Sequence, residues 1–279
     1  MIRIDPRMAI IGKRLRGVRR ITAVSGSKGG IGKSSVASLL ALTLGRLGYR
    51  AGLLDLDFTS PSTHFILGVE GLLPKEDKGI IPPSVHGIKY LSITFYSGDR
   101  PLPLRGGDVS NAMIELLTIT RWGGLDFLVV DMPPGLGDTT LDAIRLLPRV
   151  EFLLITNPSR LVVEAVRRAA VMLQELKIPI LGVVENMKRA EAQGAEQLQA
   201  LLHVPYLGAI RYDDRFEEAL GNAQRLVESD FGRDLERIVL QAKAFVAPSR
   251  GRGRSGTIAA TQDIVGGANF SADSMPAPS

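Results

Sequence analysis

"AVSGSKGGIGKSSVASLLALTL" occupies residues 23–44, and three glycines and two lysines fall within the six positions from Lys28 to Lys33, between two apolar segments. A strand is expected to end at Ser25 and a helix to begin near Lys33. Glycines at such a bend let backbone N–H groups converge without Cβ obstruction. The helix N-terminus adds partial positive charge, so the bend forms a nest for anionic oxygens. Lys33 is placed to reach β- and γ-phosphates and Ser34 to ligate Mg²⁺ through its hydroxyl. Ser27, Lys28, Gly29, Gly30, Ile31, Gly32, Lys33, Ser34 and Ser35 are therefore the expected phosphate-binding set. Ser27 stands where the general pattern has glycine, which puts the loop entry in question if the backbone there is left-handed. Lys28 is unusual, because an ordinary phosphate loop has no need of a cation there. A second lysine could screen charge during γ-phosphate transfer, even across a dimer interface as arginine fingers do; the alternative is a surface lysine.

Two further segments supply carboxylates. In "LLDLDFTSPS" (residues 53–62) Asp55 and Asp57 are expected on one face at a strand end, by the period-two alternation of side chains. Beside a polyphosphate, such a pair suits Mg²⁺ coordination and water positioning. In "FLVVDMPPGLGD" (residues 127–138) an apolar strand delivers Asp131 toward the metal's water shell. The loop after it, with Pro133, Pro134 and Gly135, is stiff and then pliable, which suits a switch that senses the γ-phosphate.

Around these segments the chain alternates strand-length apolar runs with helical patterns. Strands are expected at residues 21–25, 51–57, 88–94, 125–131, 150–156, 178–185 and 206–210. Helices are expected at about 33–47, 161–176 and 234–246. Continuous apolar runs suit strands buried on both faces. The alternation implies a doubly wound α/β fold with a mostly parallel sheet and ligands at the carboxyl ends of its strands. Residues 69–87 read as a loop insertion.

The chain has 279 residues and a net charge of +5, unevenly placed. Residues 1–20 hold seven Lys/Arg and one Asp, which suggests a basic N-terminal arm; residues 21–247 form the body. A basic arm can meet nucleic acid or an anionic membrane, or simply be solvated. Residues 248–279, poor in large apolar side chains, read as a disordered tail. No run is long enough for a membrane span, and the cytoplasm is the expected compartment. There are no cysteines, which excludes disulfides and any thiolate-held zinc or iron–sulfur site.

"SKGGIGKSS", "LLDLDFTSPS" and "VVDMPPGLGD" together resemble the Mrp-type ATPases, within the ParA/MinD group of deviant Walker A, SIMIBI-type P-loop NTPases. "IPILGVVENM" and "VPYLGAI" extend the resemblance, which covers about residues 17–244. It implies an ATP-sandwiched homodimer, with Lys28 reaching the partner's nucleotide. It also implies that Asp57 orients the attacking water, that Asp55 lies near Mg²⁺ and that Asn186 contacts adenine. Members of this family are ATPases tied to iron–sulfur cluster carriage and assembly, so an iron–sulfur protein or other metalloprotein is the implied client.

The sequence departs from that family at one place. Many members carry a Cys-x-x-Cys pair shortly after the "ENM" segment; this chain runs "ENMKRAEAQGAEQLQALL" there. The expectation is a Mg²⁺-dependent ATPase switch without cluster ligands of its own. The alternative is a ParA/MinD-like positioning ATPase acting on a surface or a protein partner.

Overall fold

The computed structural model describes residues 5–97, 106–135, 137–189, 199–200, 202–242 and 245. The expected tail, 248–279, and most of the segment that replaces the Cys-x-x-Cys pair lie outside the described residues. In chain order the first elements are α1 (Arg7–Leu15), β1 (Val18–Gly26), α2 (Lys33–Arg46), β2 (Ala51–Asp55) and α3 (Thr63–Leu67). Next come β3 (Lys75–Glu76), β4 (Ile80–Ile81), β5 (Ser84–Val85), β6 (Ile88–Leu91), α4 (Thr94–Ser97), α5 (Gly107–Ile119) and β7 (Leu125–Asp131). The rest are α6 (Asp138–Leu146), β8 (Val150–Thr156), α7 (Arg160–Glu175), β9 (Ile180–Lys188), β10 (Tyr206–Arg211), α8 (Phe216–Ala219), α9 (Ala223–Glu228) and α10 (Asp230–Gln241).

Eight strands make one sheet in the order β10-β9-β8-β1-β7-β2-β6-β5. Every pairing in it is parallel except β5 with β6. The expected α/β class is what the chain adopts. The order reverses direction at β1, which lies between β7 and β8, so the switch point of the sheet falls at the end of β1. β7 is buried along its whole length, as its unbroken apolar run requires. α2 packs on β7, β2 and β1 on one side and on α10 on the other. That double cover explains why "VASLLALTL" is apolar all round rather than along one stripe.

The segment expected to be a basic arm is largely folded. Ile11 and Leu15, four residues apart on α1, are each 1% exposed, and α1 packs against α5. Burying side chains of this size is worth about 1.5–3 kcal/mol each, enough to hold a short helix that its charges alone would leave in solvent. β1 starts three residues earlier than expected, with Val18 paired to Leu125, so a boundary at residue 20 would cut through a central strand. Four of the basic residues are engaged as well. Arg7 meets Asp5, Arg14 donates to the carbonyls of Thr118 and Lys78, Arg19 meets Asp126 and Arg20 meets Glu151.

Three other boundaries move. The expected insertion at 69–87 contains the β3–β4 hairpin and β5, which extends the main sheet. β6 stops at Leu91 because the chain turns at Ser92, whose Oγ accepts the Thr94 N–H. α10 starts at Asp230 rather than Asp234, capped by Ser229, whose side chain accepts the Gly232 N–H.

Candidate nucleotide site

The bend between β1 and α2 is held open from two sides. A Cβ on Gly26 would lie 2.3 Å from Ile31 Cδ1, and Ile31 is 2% exposed, so the loop folds back over its own apolar plug. Gly32, which caps α2, has φ 78°. A Cβ there would also meet Asn186 Nδ2 at 2.1 Å. That amide, delivered by β9, donates to the Ile31 carbonyl at 2.9 Å and pins the loop to the next strand but one. No side chain caps the first turn of α2, so its leading N–H groups are available to an anion. Ser27 is absent from the positive-φ residues, so serine at the motif's glycine position carries no left-handed strain. The hydroxyls of Ser25 and Ser27 are buried with no hydrogen-bond partner among the described residues.

Lys33 is 6% exposed and donates through Nζ to Asp131 Oδ1 at 2.8 Å, with Ser34 Oγ at 3.4 Å. Ser34 and Ser35 are half-buried; Lys28, Gly29 and Gly30 are exposed at the outer curve of the loop. Lys28 makes no hydrogen bond or ion pair among the described residues.

Asp131 ends β7 and is paired in register with Asp55 at the end of β2. Both are 0% exposed. Burial, and then the neighbouring Asp131, pushes the Asp55 carboxyl up to about 7. Asp131 is also raised by burial, with Lys33 opposing the rise. Asp55 Oδ1 accepts the Asp57 N–H at 3.0 Å, and Oδ2 accepts the Thr63 hydroxyl at 2.6 Å. Asp57 lies two residues past the end of β2, not in it. Its Oδ1 accepts the Thr59 hydroxyl at 2.9 Å and the Ser60 N–H at 3.1 Å, which turns the chain after the strand.

The loop after Asp131 returns to the same place. The Gly135 N–H donates to the Gly26 carbonyl at 3.0 Å, and the Thr140 hydroxyl donates to the Gly135 carbonyl at 3.2 Å. Pro133 is half-buried and Pro134 exposed. Met132 N–H reaches the Val24 carbonyl, so the segment is anchored on both sides of the two prolines.

Two buried carboxylates thus face one buried ammonium, and Asp131 Oδ2 has no hydrogen-bond partner among the described residues. A hard divalent cation fits that charge balance and that oxygen donor set. Among the described residues no group of three or more His, Cys, Asp or Glu forms a metal cluster. The fit is to a cation that takes one or two carboxylates, a hydroxyl and phosphate oxygens, as Mg²⁺ does.

Three side chains of this region carry no motif. Thr63 and Tyr90 back Asp55, Thr63 eight positions further along the chain and Tyr90 on β6. Glu185, 0% exposed on β9, accepts the Tyr206 hydroxyl and pairs with Lys188. No motif spacing points to any of the three: Thr63 meets Asp55 across a turn, Tyr90 meets Thr63 from a neighbouring strand, and Glu185 meets Tyr206 through sheet pairing besides the nearby Lys188.

Comparison with known proteins shows what the chain as a whole is similar to. The chain is 42% identical over 177 residues to an iron-sulfur cluster carrier protein of Pseudomonas fragi, covering 62% of each chain. To the iron-sulfur cluster carrier protein of Aquifex aeolicus it is 42% identical over 179 residues, covering 63% of this chain and 49% of the relative. The chain thus spans about half to three-fifths of the length of these relatives. A nucleotide-binding protein from Archaeoglobus fulgidus, solved in complex with ADP, superposes with a TM-score of 0.65 and 29% identity over 82% of this chain and 93% of that one. The cell division ATPase MinD of Pyrococcus furiosus shares the fold, with a TM-score of 0.60 and 22% identity over 80% of this chain and 97% of that one. Among the described residues no helix is long and apolar enough to cross a membrane. The ParA family model described as "NUBPL iron-transfer P-loop NTPase" matches residues 17–246, and the chain belongs to that family.

Proposed function

We propose that the protein is a Mg²⁺-dependent ATPase of the Mrp type that works as a homodimeric switch in iron–sulfur cluster or metalloprotein assembly. The observation that carries this reading is the buried Lys33–Asp131 pair at the base of an uncapped, glycine-bent loop. A buried ammonium in that position is a charge waiting for a better partner. Triphosphate oxygens entering the loop compete with Asp131 for Lys33, and the loop's N–H groups take the remaining phosphate charge. Ser34, with Asp131 and Asp55 acting through water, would hold Mg²⁺, which neutralises phosphate charge when bound.

Asp57 is the residue assigned to orient the attacking water in line with the γ-phosphate. Its Oδ1 is occupied by Thr59 and Ser60, which fixes the carboxylate for that task. Asn186 keeps a buried Oδ1 without a partner among the described residues, an acceptor suited to the adenine amine. Lys28, exposed and uncommitted, is free to reach the nucleotide of a second protomer. The Gly135 amide, held by the Gly26 carbonyl, is the contact that γ-phosphate would take over and release after hydrolysis.

The link to cluster assembly rests on what the relatives are named. With no cysteine in the chain, thiolate ligands for any cluster must come from a client. The positioning alternative is weaker, because most of the basic residues it would use are tied into α1, β1 and their neighbours. The test has two arms. ATP binding and phosphate release are measured for the protein and for Lys33→Ala, with loss of both expected in the variant. Partners are then captured with ATP and with a slowly hydrolysed analogue; iron–sulfur proteins enriched in one state support the assembly role. Their absence from both states, with DNA or vesicles retained instead, would favour the positioning role.

A further inference from the structure

A second line of contacts ends on Asp55, through Thr63 at the start of α3 and Tyr90 on β6. The Thr63 hydroxyl lies 2.6 Å from Asp55 Oδ2 and 2.8 Å from Tyr90 Oη. Thr63 and Tyr90 are each 0% exposed. A hydroxyl has one proton to give. With Asp55 ionised, as a carboxylate that serves a cation must be, the Thr63 proton belongs to Asp55. Tyr90 must then donate to Thr63, and the chain runs one way, from phenol to hydroxyl to carboxylate. The Tyr90 ring is set in turn by Phe95, edge-on with centroids 5.4 Å apart. The remaining Asp55 oxygen is taken by the Asp57 N–H, so contacts on both oxygens fix the carboxylate's rotation.

We propose that Thr63 and Tyr90 are positioning residues that hold Asp55 in the orientation from which it serves Mg²⁺ at the nucleotide phosphates. The inference rests on the nucleotide site proposed above and adds two residues that do not themselves touch nucleotide. It also implies that α3, which Thr63 opens, is registered to the site through the Asp55 carboxylate.

The test is the binding of a fluorescent ADP analogue to the full chain, in EDTA and with Mg²⁺ titrated, for the protein and for Thr63→Val, Thr63→Ser and Tyr90→Phe. Losing one charge-assisted hydrogen bond should raise the Mg²⁺ midpoint about tenfold in Thr63→Val. Tyr90→Phe should raise it about threefold, since its effect is relayed. Affinity in EDTA should stay unchanged in both, and Thr63→Ser should restore the original midpoint. A role confined to packing would not separate the two conditions or be rescued by serine. Midpoints equal to that of the unaltered protein, or a Thr63→Ser as impaired as Thr63→Val, would overturn the proposal. If Thr63→Val does not fold, Tyr90→Phe, which keeps the ring, decides by the same criterion. An unaltered protein that takes up no analogue, or takes it up without response to Mg²⁺, would overturn the nucleotide site itself and this inference with it.

Discussion

Lys33 Nζ and Asp131 Oδ1 are 2.8 Å apart in a site where Asp131 stands in register with Asp55, so one ammonium serves two buried carboxylates. Such an arrangement is short of positive charge. Breaking a buried ion pair by removing one partner typically costs about 3–5 kcal/mol, because the other charge is left without compensation. The site therefore stores a preference for a ligand that brings cation and anion together, as a metal-bound polyphosphate does.

The first consequence is a pH dependence of the nucleotide-free protein. Asp55 is raised from its ordinary 3.8 to about 7 by burial and by Asp131. Between those values the folded protein keeps a proton that the unfolded chain has lost. The unfolded state binds fewer protons, so stability falls as pH rises from about 4 to about 7 and levels off above. Across the whole interval the Asp55 contribution is about 4 kcal/mol at most. Thermal melts at pH 5 and pH 8 should show the protein several degrees less stable at the higher pH. Asp55→Asn should reduce that difference, leaving the part contributed by Asp131, whose carboxyl burial also raises; an equally steep loss in the variant would remove Asp55 as its source.

Asp57→Asn separates binding from chemistry. The Asp57 carboxylate hydrogen-bonds Thr59 and Ser60 and, among the described residues, no phosphate-loop residue, so ADP affinity should hold within about twofold. If Asp57 orients the attacking water as proposed, its loss should slow single-turnover hydrolysis by about 10²-fold or more. Phosphate release from a pre-bound ATP complex measures this directly, and an unchanged rate would reassign the water-positioning role.

How much of this was legible in the sequence depends on whether partners are neighbours in the chain. The loop from Ser27 to Ser35 and the aspartates at 55, 57 and 131 are contiguous motifs, and the structure brings loop, Asp55 and Asp131 to the carboxyl ends of adjacent strands. Asn186 was visible only through resemblance, as an adenine contact; that its Nδ2 pins the Ile31 carbonyl required the register of β9. Thr63 and Tyr90 left no signal, because threonine after a turn and tyrosine on a strand are ordinary in any sheet. The fold of residues 7–20 was obscured by charge. Ile11 and Leu15 have helical spacing, yet seven basic side chains around them suggested solvent, whereas lysine and arginine can keep their charged ends wet while the helix packs.

Lys28 offers a test of the dimer that does not depend on crystals. It is exposed and uncommitted among the described residues, so Lys28→Ala should leave the melting temperature unchanged, within about 0.5 kcal/mol of stability. If it acts on the partner's nucleotide, hydrolysis per protomer should rise with protein concentration in the unaltered protein and be lowered about tenfold or more in the variant. Mixing the variant with a Lys33→Ala protein is the sharper form: only one composite site in the mixed dimer could then hold nucleotide and receive Lys28. Turnover that stays flat with concentration and ignores Lys28 would confine the reaction to a single protomer.

Gly32 and Asn186 make the last case, because two distinct penalties meet at one contact. Gly32→Ala places a Cβ 2.1 Å from Asn186 Nδ2 and also forces alanine to φ 78°. Asn186→Ala removes the obstacle but frees the Ile31 carbonyl, a loss of about 1 kcal/mol for one hydrogen bond and more if the carbonyl stays buried. The left-handed backbone costs alanine about 1 kcal/mol whatever its surroundings. Each single variant should therefore weaken ADP binding. The double variant should bind better than the sum of the two losses implies, since truncating Asn186 removes the clash altogether, yet should not regain full affinity. A double-mutant cycle on ADP affinity gives the coupling. Strict additivity would mean that the Asn186 amide does not shape the loop, and full recovery would mean that the backbone at Gly32 relaxes out of its left-handed form.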